Sequence, residues 1–139
     1  MQPEIRIVTG ISAAPIYELL KKNFQIDDAR TVVTYGDTIY QPGPLTQDLL
    51  VHEMTHCKQQ GYNQADASNW WDAYLHDESF RLSQELEAYR NQFAFLKRNI
   101  KDRNRLFLQL RRLALDLSSP LYGNIIGQMQ AIQEIRKGL

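Results

Sequence analysis

From Tyr62 to Ser119 the chain runs 58 residues without a glycine or a proline. Its seven glycines and five prolines all lie at or before Gly61 or at or after Pro120. Inside a helix Gly and Pro cost about 1 and 3 kcal/mol relative to Ala, so a stretch this long without either predicts helix throughout. It does not predict a single rod. A helix over 69–99 alone would be about 45 Å long, whereas a compact domain of this size is roughly 37 Å across. The stretch is expected to fold back on itself, with breaks at its Asn and Asp residues, one before Ser79 and one across Asn99–Asn104.

Within it, Leu82, Leu86, Tyr89, Phe93, Leu96 and Ile100 recur every three or four residues, the apolar stripe of an amphipathic helix. The front of the chain reads differently. Ile5–Val8 suits a short strand, and Ala14–Phe24 a first helix with Pro15 in its first turn. Two β-rich runs, Thr31–Tyr35 and Thr38–Tyr40, flank Gly36-Asp37, a hairpin signal. Thr46 can cap a helix over Gln47–Gln60 that Gly61 stops. Ser119 and Pro120 start a last helix, with Ile125, Met129 and Ile132 as its core stripe. The expected fold is one mostly helical α+β domain over residues 1–139, a small N-terminal hairpin or sheet followed by helices.

Composition narrows what such a domain can be. With 43% hydrophobic and 23% charged residues the chain can bury a single core. Its sixteen bases and sixteen acids cancel, which argues against a nucleic-acid or membrane module held by bulk attraction. One cysteine, Cys57, excludes an internal disulfide or a Cys-rich metal cluster, and it is expected as a small buried thiol. No apolar run approaches the roughly 18 residues of a transmembrane helix. The N-terminus also lacks the pattern of a secretory signal, so a cytoplasmic chain is expected, with phage encoding or signal-less export as the alternatives. The neutrality is nonetheless local cancellation. Residues 41–80 hold one base, Lys58, against six acids, and residues 81–139 hold eleven bases against five acids. The basic excess peaks over Lys97–Arg112, a solvated helix face or a docking surface for an acidic protein partner.

The acidic middle contains His52-Glu53-Met54-Thr55-His56, an H-E-x-x-H on the capped helix. Residues four apart share a helix face, so two imidazoles can converge on one ion. Two neutral His nitrogens suit Zn²⁺, and a third protein ligand leaves one tetrahedral position for water. Glu53 can then reach that water as general base. A chance match in a chain with three His and seven Glu has odds on the order of a few per thousand.

The third ligand must come from elsewhere, because Gln59 and Tyr62 stand where H-E-x-x-H-x-x-G-x-x-H needs Gly and His. Downstream candidates are His76, Asp77, Glu78, Glu85 and Glu87. On a wheel with Leu82 at zero, Glu85 falls at about −60°, bordering the buried stripe, while Glu87 and His76 fall near 140° and 120° on the solvent side. That geometry selects Glu85.

LLVHEMTHCKQQ followed by QELEAYR resembles the compact zinc metallopeptidases of the gluzincin clan, the minigluzincin type. There the H-E-x-x-H helix is followed by a second helix bearing a glutamate ligand, often within E-x-x-A or E-x-x-x-D. Glu85 matches the ligand of E-x-x-A, with Tyr89 where the related pattern has Asp. The resemblance implies a zincin-like minimal domain that binds Zn²⁺ through His52, His56 and Glu85. It also implies an edge strand lining the substrate cleft, here expected at Thr38–Gln41. Trp70–Arg90 resembles peptidases inferred in phage and bacterial genomes, and His76–Phe80 is similar to the H-G-x-x-F of SprT-like proteases.

Other residues could serve such a site. Gluzincins often use a Tyr or His to stabilise the oxyanion, and Tyr122 is the candidate here, the alternative being a packing tyrosine. Trp70 and Trp71 are core or cleft-wall aromatics, and Asp72 could orient a ligand histidine. The expected function is zinc-dependent hydrolysis of a peptide or protein substrate, with Glu53 as general base. The alternative is a noncatalytic zincin-like assembly module with a structural zinc and the Lys97–Arg112 docking surface.

Overall fold

Strand β1 (Arg6–Thr9) opens the chain and is followed by a 3₁₀ turn at Ile11–Ala13 and helix α1 (Tyr17–Asn23). The structure, a computed structural model, describes residues 3–137. α1 starts later than expected for a local reason. Ala14 is extended (φ −69°, ψ 136°), as the ring of the following Pro15 requires. The hairpin is formed by β2 (Val33–Tyr35) and β3 (Thr38–Gln41). Gly36 turns it at φ 66°, where a Cβ would also sit 2.9 Å from the Asn63 carbonyl carbon. Glycine is needed there for both reasons.

The strand order is β1-β3-β2, with β1 parallel and β2 antiparallel to β3. This corrects one expectation. Thr38–Gln41 is the middle strand, because β1 pairs with its far side in register Arg6↔Thr38 to Thr9↔Gln41. The edge turned toward the helices is β2.

Helix α2 (Gln47–Gln59) follows. Thr46 takes the N-cap position but its side chain makes no capping bond. The Gly/Pro-free stretch then divides into α3 (Gln64–His76), α4 (Glu78–Asn99) and α5 (Arg103–Leu117). Each start is capped by a short polar side chain. Asn63, Asp77 and Asp102 accept from the backbone N–H of Asp66, of Phe80, and of Asn104 and Arg105 respectively. The two breaks fall where Asn and Asp placed them.

The end of the chain departs from expectation. Ser119 and Pro120 begin only a 3₁₀ turn, Pro120–Tyr122, which Gly123 ends in the left-handed region at φ 88°. Helix α6 (Gln128–Lys137) starts after Gly127. The register moves with it, so that Ile126, Ala131 and Ile135 enter the core while Met129 is 72% exposed.

Two apolar clusters flank α2. One joins α4, α5 and α6 through Tyr89, Phe93, Leu96, Leu113 and Leu117. The other joins α1, β2 and α3 through Leu20, Val33, Trp70, Trp71 and Tyr74. The buried face of α2 between them is Asp48, His52, Glu53, Thr55, His56 and Cys57, almost all polar. No helix among the described residues is long and apolar enough to cross a membrane.

Candidate metal centre

A polar face buried between two apolar cores costs several kcal/mol unless every group on it finds a partner. On α2 the partners come chiefly from α4. His52, His56 and Glu85 are 2%, 5% and 3% exposed. The His52 Nε2–His56 Nε2, His52 Nε2–Glu85 Oε1 and His56 Nε2–Glu85 Oε1 distances are each 3.2 Å. Three electron-pair donors thus form an equilateral triangle. Glu53 lies beside it, Oε2 3.9 Å from His52 Nε2, while its Oε1 accepts from the Thr34 hydroxyl at 2.9 Å.

This triangle favours a cation at its centre, a proton or a metal ion. Burial alone would push the His56 pKa down, but the Glu85 carboxylate outweighs it, and with Glu53 and Gln59 holds the imidazolium up to about 9. Burial opposes ionisation of Glu85 too, yet His56 and His52 hold its carboxyl far below the ordinary range. Glu53 is pushed up chiefly by burial, with the Glu85 charge adding and the histidines and Thr34 opposing. A donor set of two imidazoles and a carboxylate that holds a proton this tightly is also one that can hold a metal ion.

Every member of the triangle is braced. His52 Nδ1 lies 2.9 Å from Gln92 Oε1, and Gln92 Nε2 donates to Asp48 Oδ2 at 2.9 Å. Arg112 Nη2 donates to the same Asp48 oxygen at 3.2 Å. His56 Nδ1 lies 2.8 Å from Gln59 Oε1. Glu85 Oε2 accepts from the Tyr74 hydroxyl at 2.7 Å. The Tyr89 ring packs edge-on to His52 and the Trp70 ring to His56, at centroid distances of 4.4 and 5.4 Å. Burial, with the neighbouring Glu85 charge, keeps Tyr74 and Tyr89 protonated.

The residues read from sequence therefore divide. His52, Glu53, His56 and Glu85 are brought together, and Trp70 and Trp71 wall the adjoining cavity. Tyr122 lines the site and its hydroxyl sits 2.8 Å from that of Tyr89. Cys57 is fully buried, with its thiol pushed up to about 12 by burial. Glu87 is exposed and accepts from Gln59 Nε2 at 2.7 Å, so it supports His56 from outside the triangle. His76 lies on the surface, its side chain 74% exposed, and Asp72 is paired with it there. Asp72 therefore orients no ligand, a correction that follows from its place on the outer face of α3. Asp77 caps α4 and Glu78 is exposed. Asp48, Gln92, Gln59, Thr34 and Tyr74 carried no signal of a role at the site, and Tyr89 was marked as a member of the apolar stripe and by its place in the glutamate pattern. Only the unusually polar buried face of α2 hints that such partners exist.

The triangle lies between two concavities that share Thr31, Val32, His52, Glu53, Leu121 and Tyr122. One is a narrow, mainly apolar cavity of ≈ 50 Å³ reaching back to Leu20, Phe24, Val33 and Trp71. The other is an open cleft of ≈ 370 Å³ running past Leu49 and Tyr89 to Arg112 and Asp116. No protein-family model, curated protein or solved structure matches this chain. The chemistry is therefore read from the site itself, a buried His52–His56–Glu85 group that can hold a metal ion.

Proposed function

We propose that this chain is a zinc-dependent peptidase of gluzincin type, hydrolysing peptide bonds with water activated at the His52–His56–Glu85 site. The observation that carries the reading is the triangle of donors 3.2 Å on each side, with a buried carboxylate next to it. Three ligands at tetrahedral angles around Zn²⁺, with bonds of about 2.0–2.1 Å, lie about 3.3 Å apart. The fit supports zinc, and a ligand set of three leaves a position open.

When bound, the ion supplies Lewis acidity, lowering the pKa of a coordinated water toward about 7. The chain's own residues do the rest. Glu53 takes the proton from the attacking water and passes it to the leaving amine, a task suited to a carboxylate whose pKa is raised by burial. Thr34 holds Glu53 Oε1, which leaves Oε2 to face the reacting water. Tyr122, whose hydroxyl lies in hydrogen-bond contact with that of Tyr89, can turn its O–H to the developing oxyanion. The substrate backbone would run past Thr31 and Val32, which enter β2 and line both concavities.

Glu53→Gln is the test. It should retain the metal, measured by elemental analysis, while hydrolysis of an unfolded protein falls by about 10²-fold or more. Equal cleavage by the variant and the parent would remove the mechanism.

A further inference from the structure

Each imidazole of the triangle touches a glutamine amide, and each amide can be read for direction. A carboxamide has one end that donates and one that only accepts. Gln92 Nε2 lies 2.9 Å from Asp48 Oδ2, a carboxylate oxygen that can only accept. The NH₂ end of Gln92 is committed there, so Oε1 is the end presented to His52 Nδ1. Gln59 is held the same way. Its Nε2 donates to the Gln84 carbonyl at 3.0 Å and to Glu87 Oε1 at 2.7 Å, both acceptors, and Oε1 faces His56 Nδ1.

We infer that Asp48–Gln92 and Glu87–Gln59 are paired positioning devices that hold both histidines with the proton on Nδ1 and the Nε2 electron pair free for a metal. A neutral imidazole has one proton for its two nitrogens, so an acceptor at Nδ1 draws it there and clears Nε2. A turned amide would present N–H to Nδ1, place the proton on Nε2 and block the ligand atom. Asp48 and Glu87 thus act on the metal through the glutamines. Neither touches the triangle, and both devices are built from the same two helices, the start of α2 (Asp48) with Gln92 of α4 for His52 and the end of α2 (Gln59) with Glu87 of α4 for His56. Arg112, by donating to Asp48, closes the outer end of the first chain.

The inference rests on the metal-binding half of the proposed function and not on peptidase activity. Asp48→Asn in an Arg112→Ala parent tests it, because an intact Arg112 would hold the new carboxamide oxygen toward Gln92 Nε2 and preserve the direction. The carboxamide that this substitution introduces can donate as well as accept, so Gln92 loses its fixed direction. Adding Gln92→Glu to that variant restores a one-way chain. A carboxylate at position 92 can only accept, from His52 Nδ1–H on one side and from the new carboxamide N–H at position 48 on the other, and the total charge is that of the parent. Zinc affinity of the full-length chain would be measured by competition with a chromophoric chelator, with the fold checked by thermal melting of the metal-free protein. The imidazole Nδ1–H resonances would be recorded by NMR on the zinc-loaded protein.

Asp48→Asn should weaken zinc binding about tenfold or more and lose the slowly exchanging Nδ1–H signal of His52, while the melting curve stays cooperative. The double variant should recover both the affinity and the signal. Glu87→Lys, at an exposed position, sets a donor-only ammonium against Gln59 that draws Oε1 outward in competition with the Gln84 carbonyl. It should weaken zinc binding through His56, and unchanged affinity there overturns the Glu87–Gln59 half of the inference. Unchanged affinity in Asp48→Asn, or a double variant no better than the single one, overturns the inference. An unsubstituted chain that binds zinc but cleaves nothing would remove the catalytic reading and leave this one intact. An unsubstituted chain that binds no zinc removes both.

Discussion

Tyr74 on α3 donates its hydroxyl to Glu85 Oε2 on α4 at 2.7 Å, and this turns the other carboxylate oxygen, Oε1, to lie 3.2 Å from both histidine Nε2 atoms. The phenol neutralises neither the charge nor the reach of Oε1. It fixes which oxygen faces the triangle.

Tyr74→Phe removes that bond and leaves a buried carboxylate oxygen without its donor. A hydrogen bond to a charged group contributes about 1.5–3 kcal/mol, so the metal-free protein should melt several degrees lower. Zinc affinity should fall about tenfold as Glu85 becomes free to rotate. Calorimetry with and without chelator measures both effects, and a variant equal to the parent in both would separate Tyr74 from the site.

The pH dependence of the metal-free protein follows from His56. Its folded pKa, about 9, exceeds the ordinary 6.5, so it contributes stability that is complete below 6.5 and lost as pH rises through 9. Glu85, held far below 4.5 by the same pairing, contributes above 4.5 and loses that contribution as pH falls. Glu53, raised chiefly by burial, contributes fully below 4.5 and loses that contribution as pH rises above it. Melting temperature in chelator should therefore peak near the acid end of the window from about 4.5 to 6.5 and fall steadily toward pH 9. Added zinc should flatten the alkaline limb, because the ion takes the place of the proton. A flat profile without metal would mean that His56 is not paired with Glu85.

Tyr122 is held at its hydroxyl by Tyr89, and burial with the nearby Tyr89 and Glu85 keeps it protonated. On the peptidase reading Tyr122→Phe should lower kcat by about 10²-fold, the loss typical of one oxyanion donor, with KM and melting temperature near those of the parent. A fall in melting temperature with kcat retained would make it a packing residue.

The apolar cavity beside the triangle offers ≈ 50 Å³, against about 150 Å³ for a cavity that holds benzene. On the peptidase reading, with this cavity taking a substrate side chain, peptides that place Ala or Val there should be cleaved in preference to those placing Phe or Trp, by about tenfold or more in kcat/KM. Leu121→Ala, which opens the wall next to Tyr122, should relax that preference. Cleavage profiling of a peptide library before and after the substitution measures it, and a parent that favours large aromatics would show that this cavity does not take a substrate side chain.

What could be read from the chain is what neighbours in sequence decide. His52 and His56 face one way because residues four apart on any α-helix do. The breaks at Asp77 and Asp102 follow from short polar side chains that cap the next helix. Glu85 was legible because the apolar stripe of α4 marks its inner side, and Glu85 borders that stripe. The hairpin turn at Gly36-Asp37 was likewise local.

Everything that depends on one element meeting another was not. β3 became the central strand because β1 pairs with its far side across about 30 residues of chain. The last helix moved to Gln128 because the left-handed Gly123 ended the first turn after Pro120, a choice that glycine permits but does not announce. Periodicity says that a face is buried and is silent on what covers it, so Gln92, Asp48 and Tyr74 carried no mark of their roles. The sequence alone determined which atoms could bind a cation and that two of them share a helix face. Only the packing of α4 across α2 and α3 decided that a carboxylate would complete the triangle. It also decided which end of each glutamine would face a histidine, because hydrogen-bond direction exists only once both partners are in place.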